Sequence, residues 1–262
     1  MPDNGSVNRA FTAQAPHYDS DDKGNVVIRD LRKQVYSHVF LYLKPGSNIL
    51  ELNAGTGIDA AYFISQGHTV LATDISDGMV NELHKKAAVL NGKLTVKQLS
   101  YDELGELGGA TFDYIFSNFG GLNCIEDLSS VTGKLPQLLR PGGYVTWVIM
   151  PPVCIWEQLS VLKGNMDAFR RLKKNGVTAR IQGENFRTWY HSLRSIKKAF
   201  GDKFELVRNE GLAAISPPPH RYDFPRKYSG TYSFLRMVDG LLRGTVPFDR
   251  CADHIVVTFR KR

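Results

Sequence analysis

Cysteine is scarce in this chain: Cys124, Cys154 and Cys251 are the only three in 262 residues. They are far apart and odd in number, which builds neither a disulfide framework nor a metal-ligand cluster. A reducing compartment is therefore expected, with no metal. Also lacking is an apolar run approaching the roughly 18 to 20 residues that a membrane-spanning helix needs. The first stretch, MPDNGSVNRAFTAQAPHYDSDDKGN, has no apolar signal core and reads as a polar lead-in, so a cytoplasmic protein without a membrane span is expected. There is no internal repeat and no low-complexity segment. Hydrophobic residues at 42% and charged residues at 23% suit one large domain, or one domain with an insertion.

A net positive charge is missing from the first half. Residues 1–30 hold three basic against five acidic groups, and residues 31–150 nine against eleven, whereas residues 151–262 hold 21 against ten. The whole +7 thus comes from the C-terminal part, where an acceptor or partner would bind, or where a basic face is simply solvated.

What is present is an alternation of strand and helix signals. Asn25 to Leu43 has apolar residues three and four apart, which predicts a helix. Short strands follow at 48–52, 68–73, 94–99, 112–116 and 144–150, with helices between them at 58–66, 77–91 and 128–139. Such alternation implies right-handed crossovers and a parallel sheet covered by helices. After Pro151-Pro152 the pattern predicts a helix at 155–172, a short strand at 177–182 and a helix at 191–200. A strand at 204–215, a helix at 232–242 and a closing strand at 254–260 complete it.

The first strand runs into Glu51-Leu52-Asn53-Ala54-Gly55-Thr56-Gly57. In an open parallel sheet, ligands bind beyond the carboxyl ends of the strands, and a glycine loop there lets a cofactor approach bare backbone. From Gly55 the run fits G-x-G-x-x-A, a variant of the dinucleotide fingerprint. Asp74, 17 residues beyond Gly57 at the end of the second strand, suits the hydroxyls of an adenosine ribose, or else caps the next helix. Glu51 favours a cationic ligand over a pyrophosphate, which it would repel.

Glu51 to Gly57, Asp74, Phe112-Asp-Tyr-Ile-Phe-Ser-Asn118 and Leu138-Leu-Arg-Pro-Gly-Gly-Tyr-Val145 together resemble the class I S-adenosylmethionine-dependent methyltransferases. Each motif alone is common; four in this order are specific. The resemblance covers roughly Phe11 to Met150 and implies an α/β fold. That fold is a Rossmann-like, seven-stranded, mostly parallel sheet with helices on both faces and its last strand antiparallel. An N-terminal helical cover and a helical insertion after the fifth strand belong to it. The expected division is 1–45 as cover, 46–151 as cofactor-binding core and 152–190 as acceptor-side insertion or lid. Residues 191–262 form the remainder of the core, with a helical excursion near 217–250.

The resemblance also implies S-adenosylmethionine as cofactor, S-adenosylhomocysteine as product, and methyl transfer as activity. It places Gly55 and Gly57 with Asn53 and Ala54 along the methionine part, and Glu51 near its amino group. Asp74 would hold the ribose and Ile75 an adenine face, with Leu99, Ser100 and Tyr101 at the adenine edge. Ser117, Asn118 and Phe119 would close the pocket. Two departures stand out: Asn53 where a glycine is usual, and Ser100 where an Asp is often found nearby. Asn tolerates left-handed backbone better than most residues, so the turn can survive.

The segment Phe11 to Asp19 resembles the lead-in of the quinone-type and other small-molecule members, and Tyr18 is a candidate beside the methyl group. Arg29 and Arg32 on the next helix are candidates for a carboxylate or an anionic acceptor. Methyl transfer needs alignment more than chemistry, so no catalytic side chain is implied by the cofactor motifs. Trp156, Tyr190, Arg221 and Tyr222 are candidate acceptor contacts, and His191 and His220 candidate bases. A small-molecule acceptor, anionic or partly apolar, methylated at O, N or C, is expected. A nucleic-acid acceptor is suggested by Arg170-Arg171-Leu-Lys173-Lys174 but not favoured, because no recognisable RNA-binding module is present. A protein acceptor, a nicotinamide-dependent oxidoreductase and a non-catalytic cofactor-binding scaffold remain as alternatives.

Overall fold

The computed structural model describes residues 4–262, the side chains of Lys163 and Met166 excepted. The first three residues of the expected cover lie outside the described residues. Asn25 divides that cover into two helices, α1 (Asn4–Gly24) and α2 (Val26–Val39). Its side chain accepts from the N–H groups of Val27 and Ile28, so α2 starts capped. From α2, Val27, Leu31, Val35 and Val39 point inward at four-residue spacing and are buried.

The core then alternates: β1 (Asn48–Leu52), α3 (Ile58–Ser65), β2 (Thr69–Asp74), α4 (Asp77–Ala87), β3 (Leu94–Gln98) and β4 (Phe112–Ser117). Two short helices follow, α5 (Ser129–Thr132) and α6 (Leu135–Leu138), and then β5 (Leu139–Ile149) and α7 (Ile155–Leu159). A hairpin of β6 (Val177–Ile181) and β7 (Glu184–Thr188) precedes α8 (Leu193–Phe200) and β8 (Phe204–Leu212). The chain ends with α9 (Phe224–Lys227), α10 (Ser229–Leu242) and β9 (His254–Lys261).

Among the described residues, seven strands form one sheet in the order β3-β2-β1-β4-β5-β9-β8. The first five are parallel, and β9 runs antiparallel to both β5 and β8. This is the expected Rossmann-like α/β fold. Strand order reverses beside β1, so the crevice between the ends of β1 and β4 is the natural ligand site. No helix of the described residues is long and apolar enough to cross a membrane.

Four local expectations need correction. The helix expected at 128–139 is two four-residue helices, and the Pro141-Gly142-Gly143 stretch lies inside β5. There Gly142 has φ +71° and the pairing with β4 shifts register, so the glycines make a bulge instead of a turn before the strand. The helix expected at 155–172 keeps only α7 and two short 3-10 turns, broken at Gly164 with φ +78°. The strand expected at 177–182 is half of a hairpin, turned by Gln182 and Gly183, both at positive φ. The strand from Phe204 ends at Leu212, because Ala213 takes a φ of +53°.

Alternation along β1 sends Leu50 and Leu52 to one face and Ile49 to the other, and each face has its own core. On the first face, Phe200 stacks on Phe259 at 3.8 Å and Trp147 packs on Phe200 at 4.6 Å. On the second, a buried polar chain crosses the apolar packing. The Nδ1 of His38 meets Glu210 at 2.9 Å and its Nε2 meets Thr258 at 2.7 Å; Thr258 contacts Thr146, which contacts the Tyr114 hydroxyl. Burial raises the Glu210 carboxyl, but the bond to His38 and the charges around it prevail and hold it down at about 2.

A group lowered in this way contributes stability above its unfolded value and loses it as protons bind. Replacing Glu210 with Gln is expected to cost about 3 kcal/mol at pH 7, as for a broken buried charge pair. In urea unfolding, the gap between wild type and Glu210→Gln should close as pH falls from about 4.5 towards about 2.

Candidate active site

The loop after β1 turns through three left-handed residues, Asn53 at φ +47°, Gly55 at +57° and Gly57 at +84°. Gly57 suits this φ as other residues do not, and a Cβ there would also come within 2.6 Å of the Leu83 Cδ2, which would have to shift. Asn53 adopts the strained conformation and pays for it through its side chain. Its Oδ1 accepts from the Tyr101 hydroxyl at 2.9 Å and the Ser117 hydroxyl at 2.5 Å, and its Nδ2 donates to the Asn118 carbonyl at 3.0 Å. The side chain therefore ties β1 to the end of β4 and to the turn after β3. It fits only because residue 121 is glycine, where a Cβ would lie 2.3 Å from the Asn53 Cγ.

The loop's own N–H groups are largely committed. Ala54 N–H donates to Thr73 O, Gly55 N–H to Asp74 Oδ2 and Gly57 N–H to Ala54 O. Asp74 also accepts from the Ser76 N–H through Oδ1. Burial pushes its carboxyl above the usual range, against these backbone donors. A cradle whose donors are already paired offers a pyrophosphate little.

Beneath the loop lies an ionic cluster. Arg32 is buried and donates to Asp22 Oδ1 at 2.5 Å and to Asp59 Oδ1. Asp59 also accepts from the Tyr36 hydroxyl at 2.6 Å and from Asn118 Nδ2 at 2.9 Å. The guanidinium lies 4.8 Å over the Phe119 ring. Burial opposes its charge, but Asp59 leads the neighbours that keep it ionised. Glu51 shares this face of the sheet, is 1% exposed, and has an Oε2 without a hydrogen-bond partner. Burial first, and then the charge of Asp59, push its carboxyl well above the usual range, while Arg32 pulls it down. Arg32 Nε is likewise buried and unpartnered.

Helix α1 roofs the loop. Asp19 accepts from the Thr56 hydroxyl at 2.5 Å and pairs with Lys86 at 2.7 Å, and Lys86 also donates to Thr56 O. Farther along, Thr12 Oγ1 accepts from the Gly78 N–H and Asn8 Oδ1 from the Asp77 N–H, pinning α1 on the first turn of α4. Below this roof is a cavity of about 400 Å³. A smaller one beside it is lined by Arg32, Ala54, Ile58 and Asp59 and shares Tyr18, Asn53, Asn118 and Phe119 with the first.

Of the residues singled out in the sequence, Tyr18, Asn53, Gly55, Asp74, Ile75 and Leu99 line the main cavity. So do Ser100, Tyr101, Asn118, Phe119 and Tyr190. Ala54 lines the smaller one, Ser117 stands behind Asn53, Gly57 starts α3, and Glu51 lies beneath. Others stand apart from either lining. Arg29 is exposed on α2, Trp156 donates its Nε1–H to Ile215 O, and His191 Nε2 meets Ile125 O at 2.9 Å. Burial lowers the pKa of His191, and His220, Arg221 and Tyr222 lie toward the surface.

Sequence reasoning missed the other end of the cavity. Val7, Phe11 and Gln14 reach it from α1, and Ala179, Ile181, Phe186 and Thr188 from the hairpin. The signals were a three-and-four spacing ending at Tyr18, and period-two alternation on both sides of Gln182-Gly183. Asp102 also lines the cavity, two residues after Ser100. A second buried cluster was unforeseen: Asp253 accepts from Arg171 at 2.9 Å and pairs with His254 Nδ1 at 2.8 Å. Cys154, Glu157 and Asp253 stand within 4.8 Å of one another, but Arg171 bonds both carboxylates and supplies the positive charge a cation would bring.

The chain matches the model of the methyltransferase domain over residues 49–143. It is 30% identical over 109 residues to an uncharacterised methyltransferase of Schizosaccharomyces pombe, across 38% of this chain and 37% of that one. Against a demethylmenaquinone methyltransferase of Clavibacter sepedonicus it is 29% identical over 100 residues, across 38% and 40%. The matches thus span less than half the length of these two relatives. Among solved structures, the CcbJ methyltransferase of Streptomyces caelestis superposes with TM-score 0.63 at 16% identity, covering 96% of this chain and 98% of that chain. The 1,6-didemethyltoxoflavin-N1-methyltransferase of Burkholderia thailandensis, solved with S-adenosylhomocysteine, gives 0.59 at 17%, covering 98% and 88%. At these identities the superpositions speak for the fold.

The contact between Asn53 and Gly121 makes a test. Gly121→Ala should cost about 1 to 3 kcal/mol in urea unfolding, as overpacking does. Adding Asn53→Gly should recover most of that loss, and additive costs would refute the contact.

Proposed function

We propose that this chain, whose residues 49–143 match a methyltransferase domain, is a class I S-adenosylmethionine-dependent enzyme that transfers a methyl group from that cofactor to a small molecule. One observation carries the reading: Glu51 Oε2 and Arg32 Nε, two buried atoms on side chains of opposite sign, have no hydrogen-bond partner, although the rest of the Arg32 guanidinium is paired with Asp22 and Asp59. A buried unpaired polar atom is costly, so these two fit the ammonium and carboxylate of an amino acid. The cluster also holds three carboxyls, Asp22, Asp59 and Glu51, against the single guanidinium of Arg32, a shortage of positive charge that a cationic ligand relieves.

The rest of the cavity fits the same cofactor. Asp74 keeps lone pairs free for a ribose diol, Ile75 and Leu99 supply apolar faces, and Asp102 or Ser100 offers an acceptor at the adenine edge. The committed N–H groups of the loop weigh against a dinucleotide. S-adenosylmethionine supplies an electrophilic methyl group on a sulfonium. The chain's residues have to orient the acceptor in line with it and exclude water, and alignment of this kind provides several kcal/mol. Helix α1 and the β6–β7 hairpin serve this by walling the cavity on one side. Burial holds the Tyr18 hydroxyl and the Cys124 thiol up at about 12, so both stay protonated at neutral pH and Tyr18 serves as a donor.

A small acceptor agrees with these walls, since Phe11 and Phe186 meet 5.6 Å apart across the roof. A nucleic-acid acceptor would instead show activity that falls steeply with salt.

Calorimetry with S-adenosylhomocysteine tests the reading. Asp74→Ala and Glu51→Gln should each weaken binding at least tenfold, about 1.4 kcal/mol. Binding of NADH in its place would overturn the proposal. Because both carboxyls are held above the usual range, they take up protons early on acidification. Wild-type affinity should therefore fall as pH is lowered, and this dependence should flatten in the double variant Glu51→Gln/Asp74→Asn.

A further inference from the structure

Two more unpartnered atoms lie at the hairpin end of the cavity, away from the glycine loop. Gln14 Oε1 and Thr188 Oγ1 are buried without a hydrogen bond, and both residues line the cavity. Gln14 stands on the inner stripe of α1 between Phe11, which packs on Phe186, and Tyr18, which reaches Gly55. It therefore sits where the cofactor end meets the hairpin end. Thr188 is 4% exposed and belongs to the inward face of the hairpin with Phe186.

The neighbours of this pair are apolar or aromatic: Val7, Phe11, Ala179, Ile181 and Phe186. Among the described residues lining the cavity, the one cation is Arg170, which is half exposed and lies 3.7 Å from Glu157. The lining carboxylates, Asp74 and Asp102, belong to the opposite end. A charged group buried between Gln14 and Thr188 would thus have no counter-charge, which is costly. A neutral group that donates a hydrogen bond would satisfy Gln14 Oε1, and the Thr188 hydroxyl can donate or accept in turn.

We propose that the methyl acceptor is an uncharged, ring-bearing molecule whose O–H or N–H is received by Gln14 Oε1, with Thr188 Oγ1 bonding the same polar group or a second one. The inference rests on the methyl-transfer reading, and it makes Gln14 and Thr188 specificity-determining residues. The basic C-terminal part, which suggested an anionic acceptor, brings no cation to the described lining of the cavity beyond Arg170.

Three probes of one ring system test it: 2-naphthol, 2-methylnaphthalene and 2-naphthoate. Each is equilibrated by dialysis with the full chain in saturating S-adenosylhomocysteine, whose own binding is measured in the same samples. The neutral donor, 2-naphthol, should bind at least tenfold more tightly than either of the others. Gln14→Met and Thr188→Val, which nearly conserve volume, should each remove most of that advantage without weakening 2-methylnaphthalene binding. Equal binding of the three, preference for the carboxylate, absence of binding, or indifference to both substitutions would overturn the proposal. Failure of S-adenosylhomocysteine to bind would instead strike the methyl-transfer reading itself.

Discussion

Arg32 is the residue on which the site's architecture depends. Its guanidinium is shared by Asp22 at the end of α1 and Asp59 in the first turn of α3, and it covers the Phe119 ring after β4. Asn118 bonds the same Asp59. Four segments distant in sequence thus meet at one buried charge. A buried ion pair is weak evidence for net stability, because desolvation offsets attraction. Its value here is positional. Removing the guanidinium would leave Asp22 and Asp59 buried beside Glu51 without their shared partner, so it ties the N-terminal cover to the start of α3.

The electrostatic imbalance around Arg32 also links folding to ligand binding. Burial first, and then the charge of neighbouring carboxyls, raise the affinity of such a group for protons, as at Glu51. A cation bound among them stabilises the folded chain by mass action. Roof and ligand then support each other: α1 brings Asp22 and the Asp19–Lys86 pair, and the ligand neutralises what α1 helps to enclose.

Much of the frame was legible because its signals are local. The strand and helix alternation, the turn through Gly55 and Gly57, and Asp74 at a strand end all depend on neighbours a few residues away. The acceptor end was harder to read. The hairpin's first strand was visible, but Gln182-Gly183 is an uncommon carrier of two positive φ values, and its partner strand hid among polar residues. Arg32 looked no different from the exposed Arg29, since its carboxylates come from residues 10 and 27 positions away. The pairing of His254 with Asp253 is adjacent in sequence, yet Arg171, which completes it, is 82 positions distant. Such contacts exist only after the sheet has assembled.

Asn53 shows what a missing glycine demands elsewhere. Its three hydrogen bonds reward a left-handed backbone, but its side chain fills the space that a Cβ on residue 121 would occupy. The two positions therefore cannot vary independently. A lineage moving from glycine to asparagine at 53 needs glycine at 121 before the change, and loses freedom at 121 after it. Asparagine at 53 thus turns one loop position into a constraint on a second, 68 residues further along the chain.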